Sequence, residues 1–336
     1  MSSRLTAKTL TNHRNRQVPV TLLTGFLGAG KTTLLNRILS EEHGQRFAVI
    51  ENEFGEAGVD SDILVRSEEQ IVEMNNGCIC CTVRGDLVRI LGQLAQRRDA
   101  GEIGFDRVII ETTGLADPAP VAQTFFVEED IGRAYRLDAI VTVVDALHAG
   151  QQLDQHHEAQ EQVGFADRIL LSKTDLVTTE QAGALVKRLN GMNARASVGL
   201  VDFGHTDIAQ ILEVGGFNLD AILEIEPDFL QDVAHEHDDD ISSFVFRSAR
   251  PFAVGKLEAF LSKMLTEHGA DMLRYKGVLH VAEMPARVVF QGVHMMMGSD
   301  LGQPWRSGEA RASVMVFIGR KLPQDVFLEG LEGCLA

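Results

Sequence analysis

Residues 25–36 of the chain read GFLGAGKTTLLN. This stretch fits the pattern G-x-x-x-x-G-K-[ST], with Gly25, Gly30, Lys31 and Thr32 at its fixed positions. It follows VPVTLLT, an apolar run with β-branched residues, and it leads into LLNRILSEE, whose apolar residues recur with helical periodicity. A strand, a glycine-rich loop and a helix in this order predict a loop that binds phosphate groups.

The residue types of this loop suit an anion. Glycines allow the backbone to close around a phosphate group with its N–H groups pointing inward, and the following helix adds the positive end of its dipole. Lys31 would reach the β- and γ-phosphates of a nucleotide, and the Thr32 hydroxyl would ligate Mg²⁺. The alternative is a glycine-rich turn without a ligand. The residues predicted to contact the phosphates are Gly25, Gly28, Ala29, Gly30, Lys31, Thr32 and Thr33.

Composition limits the class of protein. The 336 residues are 45% hydrophobic and 24% charged, which is typical of a globular chain with about two domains. No run approaches the roughly 18 apolar residues of a membrane span, and a net charge of −17 argues against a nucleic-acid-binding surface. Three of the four cysteines lie within residues 78–81. Adjacent Cys80 and Cys81 are poor disulfide partners, so we expect reduced thiols and a cytoplasmic location.

The periodicity of the sequence changes near residue 227. Before it, apolar strands alternate with helices, which predicts an α/β domain with a parallel sheet covered by helices and a ligand at the carboxyl ends of the strands. From Ile241, a strand, a helix, three strands and a final helix predict a smaller α+β domain with an antiparallel sheet. We therefore expect a disordered tail (1–17), a P-loop domain (18–226), an acidic, histidine-containing linker (227–240) and a C-terminal domain (241–336).

Two of these segments allow a second interpretation. The first residues of the chain are basic and contain no acid, as in an organelle transit peptide, but they lack an apolar face, which favours a solvated tail. His235 and His237, in AHEHDDD, could collect metal ions, although a solvated linker is the interpretation we favour.

A second stretch, VIIETTG at residues 108–114, lies where a nucleotide-hydrolysing protein needs an acid. Glu111 ends a buried strand and would hold Mg²⁺ through water. Gly114 would offer its backbone N–H to the γ-phosphate and act as a hinge that senses its loss. The alternative for Glu111 is a carboxylate that caps the following loop.

The stretch SKTD, residues 172–175, resembles the guanine-reading pattern [NT]-K-x-D. The Asp175 carboxylate would accept hydrogen bonds from N1–H and N2–H₂ of guanine, a donor pair that adenine lacks. The stem of Lys173 would pack on the plane of the base. Ser172 replaces the usual Asn, which weakens one polar contact, but the pattern still favours GTP over ATP.

The segment GCICC, residues 77–81, places three thiols within four residues. Thiolates bind borderline divalent ions, with Zn²⁺ the first candidate and Co²⁺ or Ni²⁺ also compatible. In an extended segment, Cys78 and Cys80 face one way and Cys81 the other, so a further ligand must come from elsewhere. Candidates lie in ENEFGE, at Glu51, Glu53 and Glu56. Small buried cysteines or a redox pair are the alternatives.

In this order and spacing, GFLGAGKTTLLN, ENEFGE, NGCICC, ETTGLADP and SKTD resemble the CobW-type family of P-loop GTPases. That family is related to the nickel-insertion GTPases of hydrogenase and urease maturation, and the motifs here are nearest its YjiA-type members. The resemblance runs from about residue 18 to the end. It implies a metallochaperone or metal-homeostasis role with GTP hydrolysis. It also implies Cys78, Cys80 and Cys81 as metal thiolates, with Glu51 and Glu56 nearby.

The leading hypothesis is therefore a GTPase whose nucleotide state is coupled to metal binding at the CICC motif. The catalytic candidates are Lys31, Glu51, which would orient water, and Glu111. No water-positioning Gln is evident, so we expect slow turnover. A P-loop kinase of a small metabolite and a non-enzymatic zinc sensor or store are the alternatives. The expected partner is a client metalloprotein, with a homodimer left open.

Overall fold

The computed structural model describes residues 17–41, 44–52, 61–67, 70–76, 83–208, 211, 212, 214, 240–306 and 308–336. Within these residues, the first sheet has eight strands in the order β4-β3-β2-β5-β1-β6-β7-β8. Its strands are β1 Val18–Thr24, β2 Phe47–Asn52, β3 Ser61–Ser67, β4 Gln70–Asn76, β5 Arg107–Thr112, β6 Tyr135–Asp145, β7 Arg168–Ser172 and β8 Ser197–Leu200.

Helices cover this sheet. They are α1 Lys31–Ser40, α2 Val83–Asp99, α3 Ala119–Val127, α4 Glu129–Ala134, α5 Ala149–Gln155, α6 His157–Phe165 and α7 Thr179–Met192. Neighbouring strands from β2 to β8 pair in parallel, which confirms the predicted parallel sheet. In the parts of the chain that the structure describes, none of the helices is long and apolar enough to cross a membrane.

Side chains of the central strands alternate between two apolar clusters. In β5, Val108 and Ile110 pack with α2 and α3, whereas Ile109 faces the other side and packs with α1. Because successive side chains of a strand point to opposite faces, a strand covered on both sides must be apolar throughout. This explains why the runs that the sequence analysis identified as buried strands are the centre of the sheet.

The structure differs from the sequence prediction in an edge hairpin. Strands β3 and β4 pair antiparallel with each other, and β3 pairs antiparallel with β2. Strand β3 was not predicted from the sequence. The signal is weak because SDILVRS has only a short apolar run between polar ends. Helix α2 begins at Val83, and Asp86 lies in its first turn, where a carboxylate interacts favourably with the helix dipole.

The C-terminal part, residues 240–306 and 308–336, forms a five-stranded antiparallel sheet in the order β12-β11-β10-β13-β9. Strand β12 was not predicted, because its sequence MMGSDLGQP has glycine and proline at an edge position. The elements are β9 Ile241–Ser248, α8 Val254–His268, β10 Met272–Leu279, β11 Ala286–Val293, β12 Met296–Pro304, β13 Ser313–Arg320 and α9 Gln324–Gly333.

One face of this sheet packs on the first domain. Val316 and Ile318 of β13 belong to the same apolar cluster as residues of α6 and β7. The alternate residues, Met315 and Phe317, pack instead with α8 and α9. Strand β13 is therefore buried on both faces, and the two predicted domains share an apolar interface.

A buried ion cluster lies in the same interface. Oδ2 of Asp167 accepts a hydrogen bond from the N–H of Ile140 at 2.9 Å, and Oδ1 contacts Arg274 and lies 3.2 Å from Nζ of Lys276. Burial alone would raise the pKa of Asp167, but the positive charges of Arg274, Lys276 and Arg195 outweigh burial and lower that pKa to about 2. Asp167 therefore binds β10 as a carboxylate.

Replacing Asp167 by Ala is expected to lower the free energy of unfolding by about 3–5 kcal/mol, because it leaves Arg274 and Lys276 buried without their counter-charge. The folded pKa lies below the unfolded value of about 3.9, so the stabilisation is complete above that pH and is lost as the pH falls toward about 2. Urea unfolding at neutral and acidic pH measures both effects.

The control for this prediction is Glu129→Ala, which removes an exposed partner of Arg133 on α4. It should change the free energy of unfolding by less than about 0.5 kcal/mol. A loss below about 1 kcal/mol for Asp167→Ala at neutral pH would contradict the role assigned to the cluster.

Candidate nucleotide site

The predicted phosphate loop follows β1 and has a left-handed backbone at its glycines. A Cβ at Gly25 would lie 2.2 Å from the carbonyl oxygen of Val143 in β6, so no other residue fits there. Gly28 and Gly30 have φ values of 73° and 101°. Gly30 is the N-cap of α1 and has no side chain to bond the first amides. Those N–H groups therefore point toward the space where an anion would bind.

The side chain of Lys31 folds back over this loop. Its Nζ donates to the carbonyl oxygens of Gly25 at 2.8 Å and Phe26 at 3.3 Å. Burial lowers the pKa of Lys31, and the nearby carboxylate of Glu111 opposes that shift. The ammonium group is thus fixed above the loop, where it can meet phosphate oxygens.

Thr32 and Glu111 are joined directly. The Thr32 hydroxyl donates to Oε1 of Glu111 at 2.7 Å, and Glu111 is buried at the end of β5, next to β1 in the sheet. A hydroxyl and a carboxylate side by side at a helix N-terminus are the oxygen donors that Mg²⁺ prefers, so these two residues fit that ion. Glu51 pairs with Glu111 in the parallel register of β2 and β5, and only its backbone is described.

The SKTD segment lies beside the phosphate loop. Oγ of Ser172 donates to the carbonyl oxygen of Ala29 at 2.7 Å, which connects the end of β7 to the loop. Lys173 has a φ of 55°, and its Nζ donates to Oδ2 of Asp145 at 2.7 Å. Asp175 is exposed in a 3-10 turn, Thr174–Leu176. The serine therefore contacts the loop backbone, a role that the comparison with Asn did not suggest.

Sequence reasoning missed Asp145, at the end of β6. Its Oδ2 also lies 2.9 Å from Nδ1 of His148, and its Oδ1 accepts from the N–H of Leu147 at 3.0 Å. Burial raises the pKa of Asp145, but the hydrogen bonds from Lys173 and His148 outweigh burial and lower it. Asp145 thus holds Lys173 at the place where the stem would meet a base. Asp145 is the last residue of LDAIVTVVD, and an acid at the end of an apolar strand was the signal that could have identified it.

Gly114, the predicted γ-phosphate sensor, lies against the phosphate loop. A Cβ there would be 2.6 Å from the backbone nitrogen of Leu27. The carbonyl oxygens of Gly114 and Ala116 both accept hydrogen bonds from Nε2 of buried Gln162, each at 3.1 Å. Gln162 was not identified from the sequence, because its partners are backbone groups of a distant loop.

The structure does not describe most of the predicted metal ligands. Glu53, Glu56, Cys78, Cys80 and Cys81 lie outside the described residues, as do His235 and His237 of the linker. Most of the predicted tail lies outside them too. In the described ranges, no group of three or more His, Cys, Asp and Glu side chains could hold a metal ion. The metal site at the CICC motif stays a prediction.

Two family models match the chain in succession. The CobW/HypB/UreG nucleotide-binding domain matches residues 19–199, and the cobalamin synthesis protein cobW C-terminal domain matches residues 241–335. The chain belongs to the CobW/HypB/UreG family. This confirms the resemblance deduced from the motifs of the sequence. The predicted domain boundaries themselves stay a prediction.

Relatives within the CobW family cover nearly the whole chain. It is 44% identical to the zinc chaperone YjiA of Escherichia coli K12 over 92% of this chain and 96% of the relative. It is 35% identical to the zinc chaperone CobW of Pseudomonas aeruginosa, over 95% of this chain and 92% of the relative. A crystal structure of Zn(II)-bound YjiA GTPase from E. coli matches with a TM-score of 0.76 and 41% identity. The match covers 95% of this chain and 99% of that chain. This similarity confirms the two-part fold.

Gly25→Ala is expected to weaken nucleotide binding at least about 100-fold, because the new methyl group would collide with the backbone of Val143 and displace the loop. In Gly28→Ala the new methyl group would lie in open space, and only backbone strain would result. We therefore expect this variant to bind nucleotide about tenfold more weakly or less. Gly183→Ala, in open space within α7, is the control and should bind as wild type does. Calorimetric titration with GDP measures all three, and equal losses at Gly25 and Gly28 would contradict the prediction.

Proposed function

We propose that this CobW-family protein hydrolyses GTP to GDP and phosphate, and that it serves as a zinc chaperone whose nucleotide state controls metal binding. The observation that carries this proposal is the direct linkage of the predicted nucleotide segments. Thr32 bonds Glu111, and Ser172 bonds the carbonyl of Ala29, so three strand ends form one site. The similarity to named zinc chaperones and to a Zn(II)-bound GTPase supports the metal as cargo.

The residues of the loop stabilise a transferring phosphoryl group by position and charge. Lys31 and the N–H groups at the start of α1 bind the β- and γ-phosphates. Thr32, and Glu111 through water, would hold Mg²⁺, which would offset the negative charge that develops on the phosphate oxygens. Gly114 binds the γ-phosphate through its N–H. We assign Glu51 to the orientation of water, on the strength of its register beside Glu111.

Guanine is recognised at the other end of the site. Asp175 accepts the two donors of the base, and Lys173, fixed by Asp145, packs against its plane. Adenine has no equivalent donor pair, so GTP is preferred over ATP.

The proposed metal ligands are Cys78, Cys80 and Cys81, with Glu51 and Glu56 nearby. Strands β2 and β4 both run antiparallel to β3 and so end at the same edge of the sheet as β1. Asn52 and Asn76, the last residues of β2 and β4, therefore lie at the edge of the sheet where the phosphate loop begins, which supports a metal site near the nucleotide. Zn²⁺ is the favoured cargo, Co²⁺ and Ni²⁺ are the alternatives, and a client metalloprotein would receive the ion. A homodimer and a cytoplasmic location also belong to this proposal.

A turnover assay with purified protein tests the proposal. Release of GDP and phosphate from GTP without an acceptor supports it, with slow turnover expected. Phosphoryl transfer only to an added small metabolite would favour the P-loop kinase. The absence of any turnover, with intact zinc binding, would leave the non-enzymatic sensor or store.

Asp175→Ala is expected to abolish the preference for GTP over ATP, because the base loses the acceptor for its two donors. Lys31→Ala is expected to lose binding of both nucleotides, because its charge acts on the phosphates. Competition binding between GTP and ATP measures the preference. Unchanged discrimination in Asp175→Ala would remove guanine recognition from that residue.

Joint replacement of Cys78, Cys80 and Cys81 by Ala is expected to weaken Zn²⁺ binding at least about 100-fold, because the thiolates supply the soft donors. The matched control is Cys334→Ala, a buried cysteine whose Sγ donates to the carbonyl of Gly330. Titrations in GDP and in a non-hydrolysable GTP analogue should give different wild-type affinities. Equal affinities with both nucleotides, or affinity that survives loss of the thiols, would refute the coupled site.

A further inference from the structure

Gln162, in α6, bonds the loop that follows β5 with both hydrogens of its amide. Nε2 donates at 3.1 Å to the carbonyl oxygen of Gly114 and at 3.1 Å to that of Ala116. The side chain is 1% exposed, and the backbone carbonyl oxygen of Gln162 accepts a hydrogen bond from the Thr142 hydroxyl at 2.8 Å. Both partners of Nε2 are carbonyl oxygens, which only accept, so the loop fixes which way the side-chain amide is oriented. The helix is thus tied to β6 on one side and to the Gly114 loop on the other.

The same loop is in contact with the phosphate loop. The Cα of Gly114 approaches Leu27 so closely that an added Cβ would lie 2.6 Å from the Leu27 nitrogen and 2.7 Å from its Cα. A movement of Gly114 toward or away from a γ-phosphate would therefore displace its carbonyl oxygen relative to Gln162. The two bonds from Gln162 fix the position of the loop's carbonyl oxygens at Gly114 and Ala116.

The C-terminal sheet contacts α6 at Glu161, the residue next to Gln162. Oε1 of Glu161 accepts from Nη2 of Arg320, at the end of β13, at 2.7 Å. Asp117, in the loop, accepts a hydrogen bond from the N–H of Ala119 at 2.8 Å and lies in the field of Arg320. Burial raises the pKa of Asp117, and the Ala119 N–H and the Arg320 guanidinium oppose that shift. Arg320 thus acts on α6 and on the loop from the other domain.

We infer that Gln162 is a positioning residue that holds the Gly114 loop ready for the γ-phosphate, and that Arg320 couples this loop to the C-terminal sheet. The inference rests on the proposed nucleotide site and assigns it a regulatory contact. A loop with two arrangements, biased by a phosphate on one side and by a second domain on the other, couples the two by reciprocal linkage.

Gln162→Met tests the inference, because it keeps the length and packing of the side chain but removes both donors. Binding of a non-hydrolysable GTP analogue should weaken about tenfold, as expected for two lost hydrogen bonds. Binding of GDP should stay within about twofold, because GDP has no γ-phosphate for the loop to contact. A merely structural role would weaken both nucleotides equally, and this result would overturn the inference.

Gln160→Met is the matched control on the same helix. Gln160 is also buried, and its Nε2 donates to the carbonyl of Leu153 at 2.8 Å, away from the Gly114 loop. The control should lose comparable stability and keep the ratio of analogue to GDP affinity. The same change of ratio in both variants would overturn the assignment to Gln162.

Arg320→Ala tests the coupling to the C-terminal sheet. This variant should lower the ratio of analogue affinity to GDP affinity about threefold. Arg250→Ala removes an exposed partner of Glu332 and should leave that ratio unchanged. In the double variant with Gln162→Met, the effects should be less than additive because both act on one loop. Full additivity, or an unchanged ratio in Arg320→Ala, would refute the coupling. Failure of wild-type GTP hydrolysis would refute the proposed function alone, since the affinity ratio needs only binding.

Discussion

The close approach of Gly25 to β6 is the constraint on which the nucleotide site depends. The backbone passes so near the carbonyl oxygen of Val143 that only a glycine fits. This contact sets where the loop leaves β1 and therefore where α1 begins. Lys31 and Thr32, the first two residues of the helix, take their positions from that start. The loop is thus shaped by the sheet beneath it and not by a ligand.

Small polar side chains then join the strand ends around the loop. The Thr112 hydroxyl donates to that of Thr24 at 2.9 Å, which connects β5 to β1 below the site. The bonds of Thr32 to Glu111 and of Ser172 to Ala29 continue this linkage above it. The side chains of Thr24, Thr112, Glu111 and Ser172 are buried, where an unsatisfied polar group would cost about 1–3 kcal/mol, whereas Thr32 is exposed. The site is therefore preorganised by the same bonds that satisfy its polar groups.

The sequence predicted those parts of the site whose signal is local. The phosphate loop, Glu111 at a strand end and the SKTD segment each depend on neighbouring residues, so a short pattern identifies them. Gln162 was missed because Gly114 lies 48 residues away in sequence, and the contact of Asp145 with Lys173 was missed because 28 residues separate them. The central strands were clear because burial on both faces makes them apolar throughout, whereas β3, next to the edge of the first sheet, and the edge strand β12 lack that signal.

The contacts across the domain interface also join residues that are distant in sequence, and their strengths differ. Nothing in the sequence indicated that Arg274 and Lys276 are buried against Asp167 of the other domain. That cluster is wholly buried, so separating it would leave uncompensated charges at a cost of several kcal/mol. The pair of Arg320 and Glu161 is partly exposed and costs far less to break. A displacement of the Gly114 loop would therefore change the edge of the interface while the cluster around Asp167 holds the C-terminal sheet in place.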